Sequence, residues 1–364
     1  VGIAFGLAMS TRLAGLLIFC YLGLFAIFYM VACKVQPQWI SLSETGRTPV
    51  KQWLSWSKGI LLAGFVALPI LFLFWPSLHT SPFGQFSHGL ETVQNYSWSG
   101  WVRMDGEFWA PQNLPIYYVP YWILVTLPEN LLILSGIVAT YALLLLVKAV
   151  SRNQFLLPER SFAYAIPVFA FLFPVGYLIV TGPVLYDGMR HFLFILPPLV
   201  VSIAVGANTI IRHLEEAGTA LVGKTLLVLT ILGTSWIGLR MAALHPYQYI
   251  HFNSFVGGLE SAYLRDETDY WGLSHREAAE WLNENKASLQ ERFGIKQILI
   301  FQRYPPWMLE ETLDEAFKVT EDAEEAHLFI SITRMNLHRS FPEAELLHAV
   351  TKKEVPLNFI FQLK

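Results

Sequence analysis

Long apolar runs separated by short, charge-bearing stretches fill the first two thirds of the chain, at about residues 1–32, 59–75, 122–147, 162–182, 192–211 and 221–239. A helix needs about 20 apolar residues to cross a hydrocarbon core of about 30 Å, so the pattern predicts about six membrane spans. The second run is short, and the fourth carries Pro167 and Pro174. A spanning helix tolerates such prolines where neighbouring helices or cavity water satisfy the freed carbonyls.

From His245 onward the apolar density falls and the punctuation becomes that of an α/β domain. Ser274-His-Arg-Glu277 has the form of a capping box and predicts a helix from 274 to about 285. Strands are predicted at 297–301 and 328–332, a helix at 306–317, and a closing hairpin that pairs 346–350 with 356–363 through Lys352-Lys353. The fold class expected is an α-helical polytopic membrane protein with a small C-terminal α/β soluble domain. Its transmembrane region covers 1–244, with an unusually long outer loop at 76–120, and the α/β domain covers 245–364.

Composition agrees with the pattern. Of 364 residues, 54% are hydrophobic and only 15% charged, which excludes an ordinary soluble protein. The net charge is -3 and the cations are scattered, so no basic stripe exists to follow a nucleic-acid backbone. Orientation comes from the loops. Lys34, Arg47, Lys51, Lys58, Lys148, Arg152, Arg160, Arg212 and Lys224 fall on one side, against Arg103 and Arg190 on the other. The positive-inside rule places the first set in the cytoplasm and the tail after Arg240 outside it, with a bacterial inner membrane as the expected location. Cys20 and Cys33 lie along one predicted helix about 20 Å apart and cannot bridge each other. The chain opens at Val1 inside an apolar run, and it reads as the C-terminal part of a longer protein.

The strongest local signal for chemistry is Tyr186-Asp-Gly-Met-Arg-His191, a short turn between two predicted spans. Arg190 offers a planar fork suited to phosphate oxygens, and His191 can add a donor or a proton. The plainer alternative is that Arg190 pairs with Asp187 and only pins the turn. Arg12 lies inside the first apolar run, where a charge costs roughly 2.5–3.5 kcal/mol unless it is paired or hydrated, or snorkels to the interface. Asp105, Glu107 and Asp187 are the acids near the same level. Any of them is a weak candidate for a general base, and each is more often a solvated or structural carboxylate. No Walker motif, dinucleotide fingerprint, HExxH or CxxC is present, and no cofactor or divalent metal is indicated. The Trp- and Tyr-rich segments of the outer loop, Tyr96-Ser-Trp-Ser-Gly-Trp101 and Leu114-Pro-Ile-Tyr-Tyr-Val-Pro-Tyr-Trp122, suit either a functional loop or an interfacial aromatic belt.

Five segments together resemble the polyprenyl-phosphate-dependent glycosyltransferases of the GT-C fold, most closely family 39, which includes the protein O-mannosyltransferases and the aminoarabinose transferases. They are Ala8-Met-Ser-Thr-Arg-Leu-Ala-Gly15, Leu114-Pro-Ile-Tyr-Tyr-Val-Pro120, Tyr186-Asp-Gly-Met-Arg-His-Phe-Leu-Phe194, His245-Pro-Tyr-Gln-Tyr-Ile-His-Phe-Asn253 and Asp269-Tyr-Trp-Gly-Leu-Ser274. The resemblance implies transfer of a sugar, with inversion, from a polyprenyl-phosphate donor in the membrane lipid to a protein, lipid or glycan acceptor outside the cytoplasm. It further implies that Arg190, His191 and Arg12 hold the donor phosphate, with Tyr186 and Asp187 behind them, and that the general base lies upstream of Val1. A membrane transporter or lipid flippase, or a non-catalytic assembly factor, are the competing expectations.

Overall fold

The computed structural model describes every residue except 12, 36–48, 95, 97, 152–158 and 304–306. The described chain forms two compact units. One is Val1–Trp98 with Ser135–Val184 and Leu193–His213; the other is Ser99–Leu134 with Leu185–Phe192 and Leu214–Lys364.

In chain order the first elements are α1 (Gly2–Thr11), α2 (Leu17–Val35), α3 (Pro49–Phe74) and α4 (Pro82–Gln94). A hairpin follows, β1 (Val102–Met104) and β2 (Glu107–Trp109), then α5 (Tyr118–Thr126), α6 (Glu129–Ser151), α7 (Glu159–Thr181), α8 (Leu196–Glu216) and α9 (Ala220–Ala243). Among the described residues four helical stretches are long and apolar enough to cross a membrane, Trp53–Phe74, Glu129–Lys148, Leu193–Glu216 and Ala220–Ala243. Leu61, Phe65, Leu144, Leu229 and Trp236 on these stretches are exposed, as side chains facing hydrocarbon would be.

The first apolar run departs from the expected single span. It is divided between α1 and α2 by a 3-10 turn at Leu13–Leu16. Ten residues give α1 about 15 Å, half a hydrocarbon core. It is held instead against α3 by Gly2 and Gly6, which share one helix face. A Cβ on Gly2 would lie 2.7 Å from Val66 Cβ, and one on Gly6 2.5 Å from Ile70 Cβ, so only glycine allows this approach. The run at 162–182 gives α7, whose apolar stretch Ala165–Thr181 is also short.

The C-terminal part of the second unit is α10 (Gly258–Ala262), α11 (Ser274–Glu284), α12 (Lys286–Phe293), β3 (Ile298–Gln302), α13 (Trp307–Glu310), β4 (Phe317–Thr320), β5 (Leu328–Ile332), β6 (Glu345–Lys352) and β7 (Val355–Gln362). The strands form one sheet in the order β4-β3-β5-β7-β6; β3 runs parallel to β4 and β5, and β7 antiparallel to β5 and β6. The two-residue period of a strand sorts the side chains. Ile298, Ile300, Leu328, Ile330 and Ile360 meet Ala278 and Leu282 of α11 on one face. Phe301, Phe329 and Phe361 cluster on the other.

Two local expectations are corrected here. The helix predicted at 306–317 is only the four-residue α13, because Phe317 and Val319 pack into the core from an extended strand paired with β3. Ser274 and Glu277 do not form a capping box: Ser274 donates its hydroxyl to Asp269, and Glu277 accepts from the Tyr247 hydroxyl at 2.8 Å. Asp269 takes over the cap, accepting from the backbone N–H of Leu273 at 3.1 Å and of Ser274 at 3.2 Å.

Candidate functional site

The site is built on the turn before α8. Asp187 and Gly188 both have left-handed backbones, φ 56° and 63°, and the N–H of Arg190 returns to the Asp187 carbonyl at 3.3 Å. Aspartate and glycine are the residues that adopt such conformations most readily. A Cβ on Gly188 would meet the Trp122 ring at 3.3 Å, and the buried Tyr118 hydroxyl donates to the Gly188 carbonyl at 3.3 Å. The aromatic segment at 114–122 therefore acts as the seat of this turn.

Asp187 is buried, 4% exposed, and uses its two oxygens differently. Oδ2 accepts from Arg190 Nη1 at 2.8 Å; Oδ1 accepts from Arg334 Nη2 at 2.7 Å. Arg334 is buried as well and also donates through Nη1 to the Tyr270 carbonyl at 2.9 Å. Its Nε lies 4.0 Å from Glu267 Oε1. Burial pushes the Glu267 carboxyl up to about 7, opposed by the charge of Arg334 and reinforced by that of Asp187. Arg103 is the second buried arginine of this neighbourhood; it donates to Asn336 and lies 4.6 Å from the Phe108 ring centre. Arg190 and Arg334 thus pair with Asp187, while Arg334 and Arg103 oppose the rise of Glu267 that Asp187 and the buried Asp266 reinforce.

Arg190 is the open edge of this cluster. Its side chain is 28% exposed, and its guanidinium carbon lies 4.2 Å from the Trp271 ring centre and 5.6 Å from that of Tyr186. Among the described residues only Nη1 is hydrogen-bonded, leaving Nε and Nη2 without a partner there. His191 packs edge-on against Tyr186, with ring centres 4.4 Å apart. The turn thus gathers Tyr186, Asp187, Arg190 and His191, and Asp187 stands behind Arg190 as its ion-pair partner. The plainer pairing of Arg190 with Asp187 is present, but it occupies one nitrogen of the fork.

The remaining sequence candidates fall elsewhere. Arg12 lies outside the described residues. Asp105, φ 54°, forms with Gly106, φ 83°, the two-residue turn of the β1–β2 hairpin; its N–H donates to Asp266 Oδ1 at 3.0 Å, and its side chain and that of Glu107 are exposed. An Asp-Gly pair between two short runs is a hairpin signal in its own right, and it accounts for Asp105 without catalysis. Asn253 also has a positioning role, donating from Nδ2 to the carbonyls of Leu124 at 2.6 Å and Leu127 at 2.9 Å. Arg334, Glu267 and Arg103 were missed from sequence. Nothing local marks an arginine 147 residues beyond Asp187 as its partner.

Comparison with protein-family profiles, with curated proteins and with solved structures gives no match.

Proposed function

We propose that this chain carries the donor-phosphate part of a GT-C-like membrane glycosyltransferase, which moves a sugar with inversion from a polyprenyl-phosphate carrier to an acceptor on the extracytoplasmic side. The observation that supports the reading most directly is the half-open guanidinium of Arg190, held by Asp187 and Trp271 in the segment that precedes, in chain order, an apolar stretch long enough to span a membrane.

The chemistry needs such a group. An acceptor hydroxyl oxygen forms the new bond to the anomeric carbon, and the bond from that carbon to the phosphate oxygen breaks. The acceptor's proton passes to a base, and the carrier phosphate leaves with one more negative charge than it had as a diester. A cation fixed beside those oxygens binds the transition state more strongly than the ground state, and that difference is what accelerates the reaction. Asp187, with an arginine on each oxygen, serves to aim Arg190 rather than to take a proton. On this reading His191, one residue on, would add a donor to the same phosphate.

The test is transfer from a radiolabelled polyprenyl-phosphate sugar by the full-length protein reconstituted in liposomes, with labelled product separated from carrier. Sugar transfer that depends on Arg190 supports the reading. A folded, inserted protein that transfers no sugar from any polyprenyl-phosphate donor, or transfers it equally well without Arg190, overturns it.

A further inference from the structure

Below the end of α9 lies a second basic feature that the proposed reaction does not use. A cavity of about 200 Å³ is lined by Arg240, His251, Lys353 and Glu260, with Leu244 and Phe252 on its apolar side. That is smaller than the roughly 300 Å³ at which sites for drug-sized ligands begin, and suits a group of phosphate size. Its polar walls are built rather than incidental. Glu129 Oε1 accepts from Arg240 Nη1 at 2.9 Å and from the Ser254 N–H and hydroxyl, both at 2.6 Å, which fixes the guanidinium while leaving Nε and Nη2 without partners among the described residues. His251 is 5% exposed, and its Nε2 is buried with no hydrogen-bond partner among the described residues. A buried polar atom in that condition marks a place where a ligand or water belongs. Lys353 sits in the β6–β7 turn with φ 48° and forms no hydrogen bond or ion pair among the described residues.

We infer that this cavity is a binding site for a phosphate group, held by Arg240, Lys353 and His251 and separate from the turn at Asp187–Arg190. Arg240 stands in the last turn of α9, an apolar helix of spanning length, so the phosphate within reach is that of a lipid headgroup or of a free phosphate at the membrane surface. Leu244 and Phe252 offer an apolar wall to the glycerol or prenyl end of such a lipid. Glu260, an exposed carboxylate of the lining, works against an anion, and its repulsion grows with the anion's charge. Burial and the charges of Arg240 and Lys353 push the His251 imidazole down to about 4, against the pull of Glu129; an anion in the cavity would offset those cations and raise it.

The experiment is a 31P NMR titration of inorganic phosphate against the full chain in a maltoside detergent, which itself has no phosphorus. Saturable line broadening is expected, weakened about tenfold or more by Lys353→Asn and by His251→Leu, since a charge-assisted bond or a buried donor is lost. Asparagine is chosen because it accepts the left-handed backbone at that position. On the proposed reading the Arg190 turn also takes phosphate, so the titration is run in an Arg190→Ala background, where the binding lost with Lys353→Asn and His251→Leu belongs to this cavity and its outcome is independent of the transferase reading. Competition by short-chain phosphatidylglycerol identifies a lipid headgroup as the ligand; lack of competition with retained phosphate binding identifies a free phosphate. No saturable binding of either, or binding indifferent to both substitutions, overturns the proposal.

Discussion

The two oxygens of Asp187 lead into two different settings. On one side Arg334, with its side chain 6% exposed, is locked between Asp187, the Tyr270 carbonyl and Glu267. On the other, Arg190 makes the same kind of ion pair but is 28% exposed and lies across Trp271. Breaking a buried pair strands a charge without solvent and is costly, whereas an open pair adds little to stability because water competes for both partners. The same carboxylate therefore divides its work: the buried arm should decide whether the turn forms, and the open arm what the turn can bind.

The largest expected effect is on the buried arm. Arg334→Met leaves Asp187 and Glu267 buried beside an apolar side chain and should destabilise the second unit by about 3–5 kcal/mol, read as a lowered melting temperature in detergent. Adding Glu267→Gln removes the carboxylate that Arg334→Met leaves uncompensated and should restore part of that loss. Equal melting of wild type and Arg334→Met would mean that the buried pair does not hold the turn.

Arg190→Ala should behave in the opposite way. Its loss should change stability by no more than about 1 kcal/mol, as for an open pair. Turnover from a polyprenyl-phosphate sugar should nevertheless fall by roughly 10²–10³, the cost of one preorganised charge-stabilising group. Arg190→Lys should recover only part, because a point charge does not reproduce the fork. A variant that melts far below wild type would place Arg190 with Arg334 as a structural residue and remove the contrast.

How much of this was visible in the sequence follows the range of the interactions. The apolar runs of α3, α6, α8 and α9, the apolar run of β5 and the β6–β7 hairpin are local patterns, and each reads directly as an element. The Tyr186-Asp-Gly-Met-Arg-His191 turn is also local, and its residues do converge. The division of the first apolar run was not readable from hydropathy, because it depends on Gly2 and Gly6 meeting α3 more than sixty residues away. Arg334 lies in a short segment where Met335 and Asn336 have positive φ, so neither helical nor strand periodicity points to it. His251 gives no sign in sequence either, since a lone histidine beside aromatics looks like any other packed one.

A smaller effect comes from pH and bears on the buried arm alone. Glu267 is raised from 4.5 to about 7 in the folded protein, so the native state holds its proton more tightly than the unfolded chain. Its contribution is fully present below about pH 4.5 and is lost as pH rises through about 7. At about 1.4 kcal/mol per unit, this amounts to something on the order of 3 kcal/mol. Melting of Glu267→Gln should therefore lose that component of its pH dependence, with the difference from wild type changing most between pH 5 and 7. An unchanged profile would show that Glu267 is ionised throughout, as a true partner of Arg334.

The smallest effect concerns Trp271, and it tests whether the open arm is aimed or merely present. The Arg190 guanidinium carbon lies 4.2 Å from the ring centre, a distance at which the ring's negative face attracts the cation and resists its rotation. Such a contact is worth about 0.5–1 kcal/mol at an exposed site and up to about 2 when water is excluded. Trp271→Leu keeps an apolar surface but removes that face, so turnover should fall by about three- to tenfold, with Trp271→Phe retaining most of it. The loss should lie in kcat more than in KM, because a misaligned fork still attracts the diester but matches the departing phosphate less well. Melting should hardly move, as Trp271 is 38% exposed. The decisive measurement is a double-mutant cycle: in an Arg190→Ala background Trp271→Leu should cost almost nothing further. If it costs the same there as in wild type, Trp271 acts on the substrate or the fold by itself, and the orientation of Arg190 depends on Asp187 alone.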